Sequence, residues 1–354
     1  MKKGSRKILL ARADASAGAG AGHVMRCLAL CQQWMAANVE SGGNRTAWLA
    51  SYKLSKSLRI RVESEGIGVL DITGTPASRR DAAETARWAR NIGASWIALD
   101  GYRFGRRYQH ALRRAEAKRM VIDDFRLIGG YDADLVLDQN LGAKSEWYRE
   151  GAGQMLLGTR YVLLRESLIR GLRPRAPIRG KARTCLVSMG GSDPEGLTMV
   201  ALESLLSIAD SDLRITVTLG MSFPSRLVSR VMRLRASDDR IEFVHRGGGM
   251  TRLLGGADLV VIAAGGTLWE ACYAGCPVAS FSRNPIQETI LKNMAGRHAA
   301  VYLGAAGRLD PRAVTAQLAA LIRTGRARRE LAANAARLVD GRGAERVVRK
   351  MLHD

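Results

Sequence analysis

Three times along this chain a short apolar run breaks into a turn of small residues that opens onto a helix. Ile8 to Ala11 leads through Gly18, Gly20 and Gly22 to His23; Thr184 to Met189 leads into Gly190-Gly191-Ser192-Asp193-Pro194; Leu259 to Ala263 leads into Ala264-Gly265-Gly266-Thr267. Apolar strands alternating with amphipathic helices indicate βαβ units and a parallel sheet. In the first helix Met25, Leu28, Cys31 and Met35 recur at helical spacing. Further strands are expected at Arg45 to Ser51, Ile67 to Ile72, Trp96 to Leu99, Arg119 to Ile122 and Leu135 to Leu137, then at Arg214 to Leu219, Ile241 to Phe243 and Pro277 to Phe281. Helices are expected at Arg79 to Asn91, Tyr108 to Lys118 and Gly196 to Ser207. The stretch from Arg170 to Arg183, rich in Pro, Gly and charge, reads as a linker. The expected architecture is α/β: two doubly wound parallel-sheet domains, 1–169 and 184–354, joined by 170–183 and facing a cleft that would hold a ligand.

Length and composition suit this plan, since 354 residues make two ordinary domains and 47% hydrophobic residues supply their cores. No stretch approaches the roughly 20 apolar residues that span a bilayer, and the basic N-terminus runs straight into a strand, so a cytoplasmic protein is expected. Cys27, Cys31, Cys185, Cys272 and Cys276 lie inside periodic segments without zinc-type pairs and read as buried thiols. The net charge of +22 raises nucleic acid, a membrane surface or an acidic substrate as partners. The basic residues are scattered, and aromatics make up only 5% of the chain, without an RNA-binding signature. Arginine covering solvated faces accounts for such a distribution, and nucleic acid is not the expected partner.

The small-residue turns bring backbone amides and a helix N-terminus to one point, which suits an anion. A merely tight turn reads equally well, because the first loop lacks the spacing and acidic residue of a dinucleotide fingerprint and no Walker lysine follows any of the three. Polar residues recur where strands end. Asp100, Tyr102, Asp123, Asp124 and Asn140 are thereby placed at the carboxyl edge, where such sheets bind ligands, although each alone also fits a turn or cap. In the second half Thr267 offers a hydroxyl, and Glu270 a carboxylate able to accept from both hydroxyls of a ribose. A diphosphate-bearing nucleotide fits these features better than protein or DNA.

The chain resembles the UDP-2,4-diacetamido-2,4,6-trideoxy-β-L-altropyranose hydrolases of pseudaminic acid biosynthesis and their spore-coat polysaccharide relatives. The matching segments are Arg12 with Asp14-Ala15-Ser16, Gly20-Ala21-Gly22-His23-Val24-Met25-Arg26-Cys27-Leu28, Asp100-Gly101-Tyr102, Ile122-Asp123-Asp124 and Gln139-Asn140. Gly158-Thr159-Arg160-Tyr161, Met189-Gly190-Gly191-Ser192-Asp193-Pro194 and Ala264-Gly265-Gly266-Thr267-Leu268-Trp269-Glu270 follow in order. The resemblance implies a GT-B fold with UDP held mainly by the C-terminal domain. It implies a hydrolase that cleaves UDP from a UDP-activated diacetamido-trideoxy sugar without metal or cofactor, His23 activating the water that attacks the anomeric carbon with inversion. Arg12, Asp14, Gly20, Gly22, Arg26, Asp100, Tyr102, Asp123, Asp124 and Asn140 would then bind the sugar side, with Arg12 or Arg26 assisting the diphosphate. Gly190, Gly191, Ser192, Asp193, Ala264, Gly265, Gly266, Thr267, Glu270 and Gln287 would bind the nucleotide. One departure stands out: the Asn that usually precedes Gln287 in the family is Ile286 here. Losing that hydrogen bond, worth about 0.5–1.5 kcal/mol, points to a different sugar or weaker binding. The competing readings are a GT-B glycosyltransferase using a UDP-sugar donor and a non-catalytic basic nucleic-acid or surface-binding relative.

Overall fold

A computed structural model describes residues 7–15, 20–37, 44–173, 175–209, 212–220, 223–245 and 249–353. Ser16, Gly18 and Ala19 of the first small-residue turn lie outside the described residues. The chain forms two compact units, residues 1–166 with 341–354, and residues 167–340.

The first unit is a parallel sheet of seven strands: β1 (Lys7–Ala13), β2 (Arg45–Tyr52), β3 (Gly68–Ile72), β4 (Trp96–Asp100), β5 (Lys118–Ile122), β6 (Ala133–Asp138) and β7 (Ala152–Leu157). Their order is β3-β2-β1-β4-β5-β6-β7. β1 is buried along its length after Lys7, because helices cover both faces of the sheet; this is why it reads as a continuous apolar run rather than an alternation. Connections from β1 run outward on one side and those from β4 on the other. The strand order therefore reverses between β1 and β4, where Ala13 pairs with Asp100 in the last register position. That reversal opens a crevice at the carboxyl edge.

Helix α1 (Gly22–Ala36) follows β1. Its buried face centres on Val24, Cys27, Cys31 and Trp34, while the expected Met25 and Met35 are only partly buried. The short α2 (Lys56–Glu63) joins β2 to β3. α3 (Arg79–Ile92) is close to its expected span; the Ser78 hydroxyl accepts from the Asp81 amide at its start and Gly93 takes the left-handed conformation at its end. The helix expected over Tyr108 to Lys118 is shorter. α4 (Arg106–Ala111) gives way to a 3-10 turn at Leu112–Ala115, and Glu116 at φ 57° swings the chain into β5. Strand β7 was not expected.

The second unit repeats the plan with six parallel strands, β8 (Thr184–Ser188), β9 (Arg214–Leu219), β10 (Ile241–His245), β11 (Leu259–Ala263), β12 (Val278–Ser282) and β13 (Val301–Ala305), in the order β10-β9-β8-β11-β12-β13. Here the order reverses between β8 and β11. The expected linker begins inside α5 (Glu166–Gly171), and much of it packs on this unit. Arg175 donates to the Leu254 carbonyl, the Ala182 amide to Ile322, and Arg328 to the Gly180 carbonyl. Helices α6 (Leu197–Leu206), α7 (Ser225–Ser237), α8 (Met250–Gly256), α9 (Gly266–Tyr273), α10 (Pro285–Ala295), α11 (Pro311–Arg323) and α12 (Gly325–Ala336) complete the second unit.

The expected domain boundaries need one correction. The last helix, α13 (Gly343–His353), belongs to the first unit. Its apolar face, Ala344, Val347, Val348 and Met351, joins the core that α1 buries, and the Trp96 indole donates to the Met351 carbonyl at 2.9 Å. All five cysteines are buried and free.

Candidate active site

At the reversal between β1 and β4, His23 and Arg26 stand one turn apart on α1, a spacing that puts both on one helix face. Both reach the end of β4. His23 Nδ1 lies 2.6 Å from Asp100 Oδ1. Arg26 grips the same carboxylate with two parallel bonds, Nε to Oδ2 and Nη2 to Oδ1, each 2.7 Å. Its Nη1 reaches Asp124 Oδ1 at 3.0 Å, so one guanidinium bridges the ends of β4 and β5. Tyr102 donates its hydroxyl to Asp124 Oδ2 at 2.7 Å and sets its ring edge-on to the imidazole, 5.0 Å between centroids. The rest of that ring is open, the residue being 42% exposed. Asn140 Nδ2 donates to Asp124 Oδ1 at 2.6 Å.

Charge and burial follow from this geometry. Burial alone would push the Asp100 carboxyl up, yet Arg26 and then His23 bring it below the usual carboxylate range. Asp124 is treated likewise: burial raises it, while the charge and hydrogen bonds of Arg26, with Tyr102 and Asn140, hold it at about 2. Both are ionised near neutral pH, and Arg26 is fixed as a cation between them. An ionised Asp100 can only accept, so the proton of a neutral His23 sits on Nδ1. Nε2 keeps its lone pair. A histidine in this state, 13% exposed at its side chain, can remove a proton from a water or hydroxyl.

Several expected site residues serve the fold instead. Arg12 is fully buried; it donates through Nε and Nη2 to Asp81 at 3.0 and 2.8 Å, and to Asp14, with its guanidinium over the Phe104 ring. Four of its five N–H groups are spent on these two carboxylates and the side chain is closed off from solvent, so Arg12 ties β1 to α3. Asp14 accepts from Arg12 and from the Tyr52 amide at 2.7 Å, tying the ends of β1 and β2 together. Asp123 points into the unit, fully buried, with the Tyr131 hydroxyl and the Ile128 amide on it. Burial pushes its carboxyl up to about 6. Gly20 at φ 69° needs the conformational freedom of glycine; Gly22 opens the helix and is exposed. Sequence reasoning missed Asp138, which accepts from Asn140, and Tyr148, which donates to Asp138, behind Asp124. Their signal was present in Asp138-Gln139-Asn140, but Tyr148 lies in no motif.

Glycine turns recur along the second unit's carboxyl edge. Gly190 has φ 91°, and a Cβ on Gly220 would overlap the Gly191 carbonyl, so the turns after β8 and β9 touch. Gly265 and Gly266 are exposed where α9 begins without a side-chain cap, and Thr267 is half-buried beside them. Ser192 is buried; so is Ala264, whose amide donates to the Phe281 carbonyl. Asp193, expected at the nucleotide, has its two oxygens accepting from the Leu197 and Thr198 amides at the start of α6, at 2.9 and 2.8 Å. Gln287 Oε1 accepts from the Arg283 amide at 2.9 Å, and Ile286 sits in the first turn of α10 with Asn284 capping it. Glu270 lies on α9, partly exposed. At the end of β12 the Nε of Arg283, a residue outside the expected site, is buried without a partner among the described residues.

Comparison with known proteins bears on the fold. No family model matches it. It is 25% identical over 297 residues to an uncharacterized protein of Methanocaldococcus jannaschii, covering 80% of this chain and 58% of that one. It is 25% identical over 205 residues to the spore coat polysaccharide biosynthesis protein SpsG of Bacillus subtilis, covering 58% and 60%. The chain thus spans less than two thirds of the length of these relatives. Among solved structures it superposes on MurG of Acinetobacter baumannii with a TM-score of 0.68 at 16% identity, covering 98% of this chain and all of that one. The UDP-GlcNAc 2-epimerase of Neisseria meningitidis, bound to UDP-GlcNAc, gives 0.64 at 11%, covering 98% and 100%. The fold is therefore the expected one, two helix-flanked parallel sheets of the kind found in GT-B glycosyltransferases and epimerases. No helix among the described residues is long and apolar enough to cross a membrane.

Proposed function

We propose that the protein processes a nucleotide sugar, and that it does so as a metal-independent hydrolase releasing UDP from a UDP-activated diacetamido-trideoxy sugar. The observation that carries this reading is the 2.6 Å contact between His23 Nδ1 and an ionised Asp100 at the reversal of the first sheet. Water attacks the anomeric carbon while His23 Nε2 takes its proton. The bond from that carbon to the β-phosphate oxygen breaks, and its electrons leave with UDP. Asp100, accepting from Nδ1–H, stabilises the imidazolium that forms. Arg26 keeps Asp100 charged and oriented, and Tyr102 offers its open ring face to the sugar. The glycine turns of the second unit and the start of α9 supply backbone donors for the diphosphate. The buried Arg283 Nε adds a cation at that edge. SpsG and the UDP-linked epimerase support a nucleotide sugar as substrate class.

The test is incubation with a panel of UDP-sugars, without acceptor, in ¹⁸O-labelled water. Hydrolysis by this route puts the label on the sugar, none on UDP, and inverts the anomeric centre. Absence of turnover until an acceptor is added would sink it in favour of a glycosyltransferase.

A further inference from the structure

Behind Asp124 lies a second layer, built on Asp138 and Tyr148. Asp138, fully buried, accepts four hydrogen bonds: the Asn140 amide and side chain on Oδ1 at 2.9 and 2.8 Å, the Phe125 amide and the Tyr148 hydroxyl on Oδ2 at 3.0 and 2.6 Å. The Tyr148 hydroxyl accepts in turn from the Arg126 amide at 3.1 Å. Those two amides belong to residues held at φ 53° and 62°, left-handed for side chains that rarely adopt it. Asp138 and Tyr148 thus hold the turn after Asp124 in a conformation it would not keep alone. Asn140 spans the two carboxylates, one proton of Nδ2 on Asp138 and the other on Asp124.

We infer that Asn140, seated by Asp138 and Tyr148, is a positioning residue that sets how the Arg26 guanidinium divides between Asp124 and Asp100, and through Asp100 the footing of His23. The inference rests on the reading of His23 as the base. Arg26 is the one cation bonded to both carboxylates among the described residues. While Asn140 and Tyr102 satisfy Asp124, Arg26 can keep two short bonds to Asp100. Without the Asn140 donor, Asp124 draws Arg26 toward itself and leaves Asp100 less neutralised beside the imidazole. An imidazolium then gains stability. The other groups around His23 do not compete: Tyr102 and Cys27 stay protonated, both raised by burial, and Asp123 is turned away onto Tyr131.

The experiment is an NMR titration of labelled histidine in the substrate-free protein, where five histidines make the His23 signal assignable from its loss in His23→Gln. Asn140→Ala is expected to raise the His23 midpoint by about half a unit or more, and Tyr148→Phe to raise it in the same direction by less. Tyr108→Phe, which removes a hydrogen bond from the separate Arg12–Asp81 cluster, serves as the control and leaves the midpoint in place. Unchanged midpoints in both variants, or an equal rise in Tyr108→Phe, would overturn the positioning role. If Asn140→Ala does not fold, Tyr148→Phe decides. Turnover is read separately: the two variants should lower kcat at a steady KM. Full activity in His23→Gln would overturn the base assignment while leaving the titration to judge the positioning.

Discussion

The two sheets wind alike and end differently. Where the first reverses, its carboxyl edge is crowded with side chains that hold one another: His23, Arg26, Asp100, Tyr102, Asp124 and Asn140 share one connected set of hydrogen bonds. Where the second reverses, the turns are built of glycine: Gly265 and Gly266 are exposed, Gly190 and Gly191 half-buried, and Gly220 is buried against the Gly191 carbonyl. Under the function proposed above, the same topology would serve two tasks. Charged side chains fixed by neighbours suit a step in which a proton moves; bare amides suit an anion that is only held.

If that division is right, damage to the two edges should separate. His23→Ala is expected to lower turnover by roughly 10³-fold or more while UDP affinity, measured by calorimetry, stays within a few fold. Normal turnover would end the comparison. Asp100→Asn keeps the shape but removes the charge opposite the imidazole, and a loss in kcat of about 10²–10⁴ is expected, with KM little changed. On the other side Gly220→Ala must push the Gly191 carbonyl aside. It should weaken UDP binding about tenfold, or 1.4 kcal/mol, and leave kcat at saturation nearly intact. A fall in kcat alone would show that the second edge does more than hold.

The smallest effect concerns stability. Asp123 has its carboxyl raised to about 6 by burial, against about 3.9 in an unfolded chain. The folded state holds this proton more tightly, so the stabilisation it brings is complete below pH 4 and is lost as pH rises through 6. Asp123→Asn cannot titrate. Its melting temperature relative to the parent should therefore climb between pH 4.5 and 7.5, by an amount corresponding to about 1–2 kcal/mol. A constant difference across that range would mean Asp123 is ionised without cost.

Much of the fold was legible because buried parallel strands are written as short apolar runs; β4 and β11 are examples, buried at every position. The edge strands β7 and β13 escaped because AGQMLL and VYLGA are half-exposed and broken by glycine, leaving neither a run nor an alternation. At the site, the small-residue turn marked His23, the resemblance brought in Arg26, and the strand-end pattern put Asp100 and Asp124 at the carboxyl edge. Residue type could not tell which acids face outward. Arg12 and Asp14 look like ligand-binding groups in sequence, but Asp81, far along the chain on α3, consumes Arg12. Tyr148 and the left-handed turn at Phe125 and Arg126 arise only from packing.

The return of α13 to the first unit has a consequence for how the molecule is made. Residues 167–340 are contiguous and can close upon themselves as they emerge from the ribosome, whereas the unit carrying His23 lacks Val347, Val348 and Met351 until synthesis has passed residue 351. Vectorial synthesis therefore finishes the first unit last. Until then the side of α1 that meets α13 has no cover, and at the start of α13 Gly343 sits where a Cβ would overlap the Val162 carbonyl, so the docking leaves room there for no other residue.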